Sequence, residues 1–166
     1  MLHLRETLEF NFQGWNEADL DSQCIGPLFT LVNYSSIYFN NFSQRDIEAV
    51  IEGLRLFGMR DGIIASGRRE PENPFLAFQE YKRFLDSDCD PAGQALGAML
   101  VGQALNEPRL PIFGCYVVGH DWWFMVVGGK RYAISKEFSA MTDDKFAIFR
   151  TLKVLKMMIT GLTTMR

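Results

Sequence analysis

The run Asn-Pro-Phe-Leu-Ala-Phe-Gln-Glu-Tyr-Lys-Arg at 73–83 constrains this chain more than any other stretch. It reads as a buried strand that ends in a carboxylate and an amine two residues apart. Side chains on a strand alternate faces, so Glu80 and Lys82 project from one face, roughly 7 Å apart along the strand. Burying an acid and a base at the end of an apolar strand is costly unless both find partners. Either the pair sits at the surface where the strand exits, or the rest of the chain supplies companions.

Composition narrows the frame. A chain of 166 residues fits one domain, 1–166, with a real core; at this size roughly 70% of the unfolded surface is buried. The share of hydrophobic residues, 48%, and of charged ones, 22%, is that of a soluble globular protein. Fourteen Phe and eight Met point to a bulky, adaptable core and an oligomer surface. A net charge of −3 gives no global pull toward nucleic acid, so any such binding needs a local basic face. Three widely spaced cysteines, Cys24, Cys89 and Cys115, fit reduced thiols in a cytoplasm better than a disulfide framework or a zinc site. Charges at Arg5 and Glu6 come too early for a secretory signal. No apolar run reaches the ~20 residues of a membrane span.

The chain then divides into elements. Residues 15–32 form the first helix, with Asn16 as N-cap and Pro27 as a kink. A strand at 47–51, a turn at Glu52-Gly53 and a bent strand at 54–65 follow, and 68–74 is a hairpin loop. Asp90 and Pro91 start a helix, rich in Ala and Gly, that runs to Asn106 and can pack closely on a sheet. Strands at 112–118 and 122–127 flank Gly119-His120-Asp121, and a short strand at 131–135 follows Gly128-Gly129. Residues 142–162 form an amphipathic helix capped by Thr142, with Phe146, Phe149, Leu152, Leu155 and Ile159 on one face. The order predicts an α/β (α+β) layer: a central mixed sheet flanked by helices, closed by that C-terminal amphipathic helix.

Asp61 is the first companion for Glu80 and Lys82. Arg60-Asp61-Gly62-Ile63-Ile64 puts a carboxylate at the head of an apolar strand. If that strand forms a hairpin with 75–82, Asp61 and Glu80 approach one another at one sheet end. Two close carboxylates raise each other's pKa unless a divalent cation sits between them, and oxygen ligands with open positions suit Mg²⁺ or Mn²⁺. A plain turn aspartate is the other reading.

An Asp followed by a hydrophobic strand ending Glu-x-Lys resembles the PD-(D/E)XK nuclease superfamily, over roughly residues 15–127. The stretches Gly14-Trp15-Asn16-Glu17, Phe78-Gln79-Glu80-Tyr81-Lys82, Gly93-Gln94 and Tyr116-Val117-Val118-Gly119 are similar to those of small bacterial members. Two positions depart from the pattern: Arg60 stands where a Pro precedes the Asp, and Ala98 where many exonuclease-like members place a Tyr. The resemblance implies a restriction-endonuclease-like core and metal-dependent hydrolysis of DNA phosphodiesters. It implies Asp61 and Glu80 as metal ligands and Lys82 as the group that orients water or stabilises the transition state. Glu17 would match the glutamate of the first helix and Gln94 the glutamine of the next. Arg60, Arg68, Arg69 and Arg83 cluster in sequence around these positions and are candidate phosphate contacts, although a solvated surface would read the same way. The rival expectation is a catalytically inactive interaction module on the same fold, homodimeric through its apolar strands.

Other signals are weaker. Asp86-x-Asp88-x-Asp90 has the alternation of a calcium loop, but Pro91 and Gly97 stand where its glycine and closing Glu belong. His120 reads as a turn residue, Cys115 as core, and the Trp122-Trp123-Phe124 run as sheet packing with half its rings inward.

Overall fold

The computed structural model describes residues 14–84, 90–106 and 110–164, together with residues 6, 10 and 11. One mixed sheet of seven strands organises it. The strands are β1 (Asn40–Ile51), β2 (Leu54–Ser66), β3 (Glu72–Lys82), β4 (Ile112–Val118), β5 (Asp121–Gly128), β6 (Arg131–Ile134) and β7 (Phe138–Ser139). Strands β1 to β6 lie side by side in chain order, and β7 pairs with β5. Every pairing is antiparallel except β3 with β4, which is parallel and needs a crossover. Helix α3 (Pro91–Leu105) makes that crossover. Among the described residues the other α-helices include α1 (Glu17–Leu20), α2 (Gly26–Val32) and α4 (Asp144–Thr164).

Strand β3 is central and covered on both faces, so residues 74–81 are all buried. That is why its sequence reads as a run of apolar residues rather than an alternation. On one face Phe75 and Phe78 pack with Ile63, Ile112 and Met125 under α3, through Ala95, Ala98, Met99 and Val101. On the other, Leu76, Ala77 and Tyr81 pack with Leu20, Ile25 and Leu28 of the first helical segment and with Ile148 and Leu152 of α4. The small residues of α3 set its height above the sheet. A Cβ on Gly102 would lie 2.3 Å from the Phe78 ring, so only glycine permits this approach.

The first helical segment starts where the capping signal predicts. Asn16 accepts from the Asp19 N–H, and Asp19 accepts in return from the Asn16 N–H. Pro27 acts at the first turn of α2, and the chain enters it through a π-helical stretch, Asp21–Ile25. The register of β1 and β2 is continuous from Asn40↔Ala65 to Ile51↔Leu54, closed by Glu52 and Gly53, both at positive φ. β1 therefore begins at Asn40, earlier than the expected 47. Its polar first half is held by pairing with β2 and anchored by the buried Phe42.

Two expectations need correction. Phe146 lies 45% exposed, whereas Ile148 and Lys145 are buried. The core stripe of α4 runs 145, 148, 152, 155, 159 at helical spacing. Phe146 falls one position off it, where the Lys145 ammonium rests over its ring. Strand β7 has no counterpart among the expected elements; two residues held by Trp122 and Asp121 carry no periodic signal. Among the described residues no helix is long and apolar enough to cross a membrane.

Candidate functional site

The C-terminal end of β3 carries the polar cluster. Glu80 is 5% exposed, and its Oε1 lies 3.0 Å from Lys82 Nζ. The i, i+2 spacing on one face thus becomes a direct ion pair, the long lysine stem spanning the pleat. Lys82 Nζ also lies 3.2 Å from Glu17 Oε1, so the first residue of α1 closes over the strand end. An ammonium held between two carboxylates joins elements 65 residues apart.

Asp61 enters from β2. The β2–β3 ladder ends at Gly62↔Gln79, and one step further Asp61 comes opposite Glu80. Beyond that end the Tyr81 N–H donates to Asp61 Oδ2 at 2.7 Å. The carboxylate takes the place of a ladder carbonyl. Gly62 is required beside it, because a Cβ there would lie 2.4 Å from Gln79 Oε1.

Electrostatics tie the four groups together. Burial pushes the Glu80 carboxyl above its ordinary range; the Lys82 hydrogen bond opposes this, and the charge of Asp61 reinforces it. Burial also raises Asp61, opposed by the Tyr81 N–H and Lys82 and reinforced by Glu17 and Asp21. Burial alone would lower Lys82, but its bonds to Glu80 and Glu17 reverse that and hold it firmly protonated. Burial thus opposes ionisation of both carboxyls, and the Lys82 cation beside them favours it.

The remaining predicted residues divide. Arg60 Nη1 lies 4.0 Å from Glu80 Oε2, the outer limit of an ion pair, and 3.4 Å from the Gln94 carbonyl oxygen. Gln94 thus stands at the start of α3, linked to the cluster through Arg60 and beside a groove of about 390 Å³. Arg83 lines a second groove with Glu17 and Gln44. Arg68 and Arg69 are not brought in. They lie in the β2–β3 turn at the far end of β3, separated from Lys82 by roughly 33 Å of extended strand.

The sequence missed the layer behind the cluster. The Tyr81 hydroxyl donates to Gln79 Oε1, and Gln79 Nε2 donates to Asn41 Oδ1 at 3.2 Å. Gln79 alternates with Glu80 on the strand and signals a polar group on its opposite face, which is the only hint the sequence holds.

The weaker signals resolve simply. Asp90 caps α3, its Oδ1 accepting from the Gly93 N–H at 2.8 Å, while Asp86, Asp88 and Cys89 lie outside the described residues. Cys24 and Cys115 are buried, their thiols pushed up to about 12 by burial. Trp122 is fully buried, and Trp123 stacks on Tyr116 with ring centroids 4.8 Å apart. His120 Nδ1 meets both Asp121 Oδ1 at 2.7 Å and Ser139 Oγ at 3.2 Å. Acid and hydroxyl on the same ring nitrogen cannot relay a proton from one to the other, so this is no Ser-His-Asp triad.

Among the described residues, no three His, Cys, Asp or Glu side chains converge on one point. The cluster's oxygen donors nonetheless fit a hard divalent ion that takes one or two carboxylates and fills its other positions with water or phosphate. Such an ion would offset the neighbouring carboxylate charge that adds to the effect of burial on Asp61 and Glu80. No family model matches the sequence, no curated protein matches it, and no solved structure matches the fold.

Proposed function

We propose that this chain is a Mg²⁺- or Mn²⁺-dependent nuclease of the PD-(D/E)XK type, hydrolysing DNA phosphodiester bonds. The observation that supports it is the buried Glu80–Lys82 pair, joined at the surface by Glu17, with Asp61 opposite Glu80. Asp61 and Glu80 would hold the ion, which when bound supplies a polarised phosphodiester and water that ionises near neutral pH.

The chain's own groups do the rest. Lys82, kept protonated by Glu80 and Glu17, would orient the attacking water and offset charge growing on the phosphoryl oxygens. Glu17 would position Lys82. Arg60 would steady Glu80 and, with Gln94 and Arg83, offer donors to neighbouring phosphates. Arg68 and Arg69 would take no part at the reacting centre.

Cleavage of single- and double-stranded DNA in Mn²⁺ tests this. The parent protein should cut, and Glu80→Gln and Lys82→Ala should each lose at least about 100-fold, the scale of removing one stabilising group. Equal cutting by all three would assign the activity to a contaminant.

A second reading rests on one specific feature. From Val50 to Arg60 the β1–β2 hairpin extends past β3 and exposes Val50, Leu54, Phe57 and Met59 by more than 60% each. That apolar arm suits an interaction module, homodimeric through this surface. Sedimentation of the parent against Phe57→Ser and Met59→Ser tests it; a monomer at high concentration would remove the homodimer.

A further inference from the structure

The β1–β2 arm has one covered face and one bare one. Ile47, Ala49 and Leu56 pack in the cluster beneath α3. The residues that alternate with them turn to the opposite face, and there Val50, Phe57 and Met59 are each more than 60% exposed. Acidic residues share that face: Asp46 pairs with Met59, and Glu48 with Phe57. Arg55 bridges Glu48 and lies over the Phe57 ring. Asp46 and the turn residue Glu52 then leave the arm with negative charge in excess.

A second bare surface lies on α4. Away from its core stripe the helix exposes Arg150, Lys153, Val154, Met157 and Met158, with Met157 at 72%. Val154 and Met158 border an apolar slot of about 110 Å³ that Phe113 and Phe124 also line. A cavity of about 150 Å³ suffices for a benzene ring, so this slot is sized for one side chain rather than a ligand. We infer that the arm of one copy docks on α4 of a second copy, setting Val50, Phe57 and Met59 against Val154, Met157 and Met158. The inference rests on the reading of the arm as an interaction surface, names what that surface meets, and is independent of the hydrolytic reading.

Charge selects this pairing. Residues 122–166 hold eight Lys and Arg against three Asp and Glu, whereas residues 1–121 hold nine against seventeen. Arm against arm would bring Asp46 and Glu52 of both copies together, and α4 against α4 would do the same with Arg150 and Lys153. Arm against α4 places opposite charges around apolar centres, the arrangement that favours one partner over the others. Reach requires the second copy. Phe57 lies four residues beyond the level of Glu80, and Phe113, beside the slot, pairs with Ala77, three residues before it. Roughly 23 Å of strand thus separates the two surfaces within one copy. Two such contacts about a two-fold axis close a dimer, the commonest symmetry of soluble oligomers.

Sedimentation of the full chain tests this with two exposed-surface variants, Phe57→Ser with Met59→Ser on the arm and Met157→Glu with Met158→Ser on α4. The parent should associate, and each variant alone should be monomeric. Mixed in equal amounts, the two variants should form a one-to-one complex, because each retains the surface the other lacks. Lys153→Glu, which leaves the apolar residues intact, should weaken association of the parent about tenfold. A monomeric parent overturns both the inference and the arm as a contact between copies. A parent dimer lost in the arm variant but kept in the α4 variant overturns the inference alone and leaves an arm-to-arm contact. A mixture that stays monomeric, or an arm variant that still associates by itself, also overturns it.

Discussion

Two polar clusters sit at strand ends in this molecule, and they are built differently. The His120–Asp121–Ser139 cluster joins a turn residue and the first residue of β5 to a hydroxyl on β7, with the His and Asp side chains about one-sixth exposed. The Glu80 cluster joins β2, β3 and α1, with Glu80 and Lys82 side chains only 7% and 13% exposed. The first is local and costs little to assemble. The second places ionisable groups where desolvation works against them, and only the tertiary fold holds them there. Groups retained at such a cost are the better functional candidates.

The sharpest way to break this comparison is to remove the shared ammonium. Lys82→Ala would leave the buried Glu80 carboxylate without its main partner. Such a loss costs about 3–5 kcal/mol in unfolding free energy, readable by urea denaturation. The double variant Lys82→Met with Glu80→Gln should recover most of it, since no buried charge is then stranded. If Lys82→Ala costs no more than a surface pair, the cluster is as loosely built as the turn.

Next in size is the response to metal. A ligand that binds only the folded state stabilises it by about 2.7 kcal/mol at 100 times its dissociation constant. Mn²⁺ should therefore raise the melting temperature of the parent. Asp61→Asn retains an oxygen for the Tyr81 N–H and should fold, yet lose that rise. An equal rise in parent and variant would place the ion elsewhere.

His120→Ala probes the other side of the comparison. Its partners include a neighbouring Asp, a hydroxyl and the stacked Phe84 ring at a partly open turn, and exposed polar pairs of that kind contribute about 0.2–1 kcal/mol. A loss above about 2 kcal/mol in the same urea measurement would show that the turn cluster is held as firmly as the Glu80 one.

Much of this contrast was legible in the sequence, for identifiable reasons. Asp90-Pro91, Asn16 and Gly119-His120-Asp121 act through local geometry, so short signals locate α3, α1 and the β4–β5 hairpin. Glu80 and Lys82 share a face by strand alternation alone, and their ion pair follows. Asp61 required one non-local step, the pairing of β2 with β3, which the hairpin pattern supplied. What failed was of another kind. The placing of Arg68 and Arg69 at the far end of β3 reflects strand length, because nearness in sequence across a hairpin turn becomes distance along the strands. The bond from the Tyr81 N–H to Asp61 involves a backbone group that no side-chain pattern records. The polar start of β1 holds one buried apolar residue, Phe42, too few to make a periodic signal.

The smallest expected effect is a slope, and it discriminates most finely. The Glu80 carboxyl is held above its ordinary value by burial, with the charge of Asp61 adding to it. The folded state therefore binds a proton more tightly than the unfolded chain does. That contribution to stability is fully present below the unfolded pKa, about 4.3, and is lost as pH rises through the higher folded value. Glu80→Gln removes this titration while keeping an oxygen for Lys82. The melting temperature of Glu80→Gln minus that of the parent should then be more positive at pH 7.5 than at pH 4, rising across the window just above 4.3. A Glu80→Gln difference that is flat with pH would mean that Lys82 fully neutralises Glu80. Glu80 would then ionise as readily in the fold as in the unfolded chain, and the contrast with the turn cluster would fail.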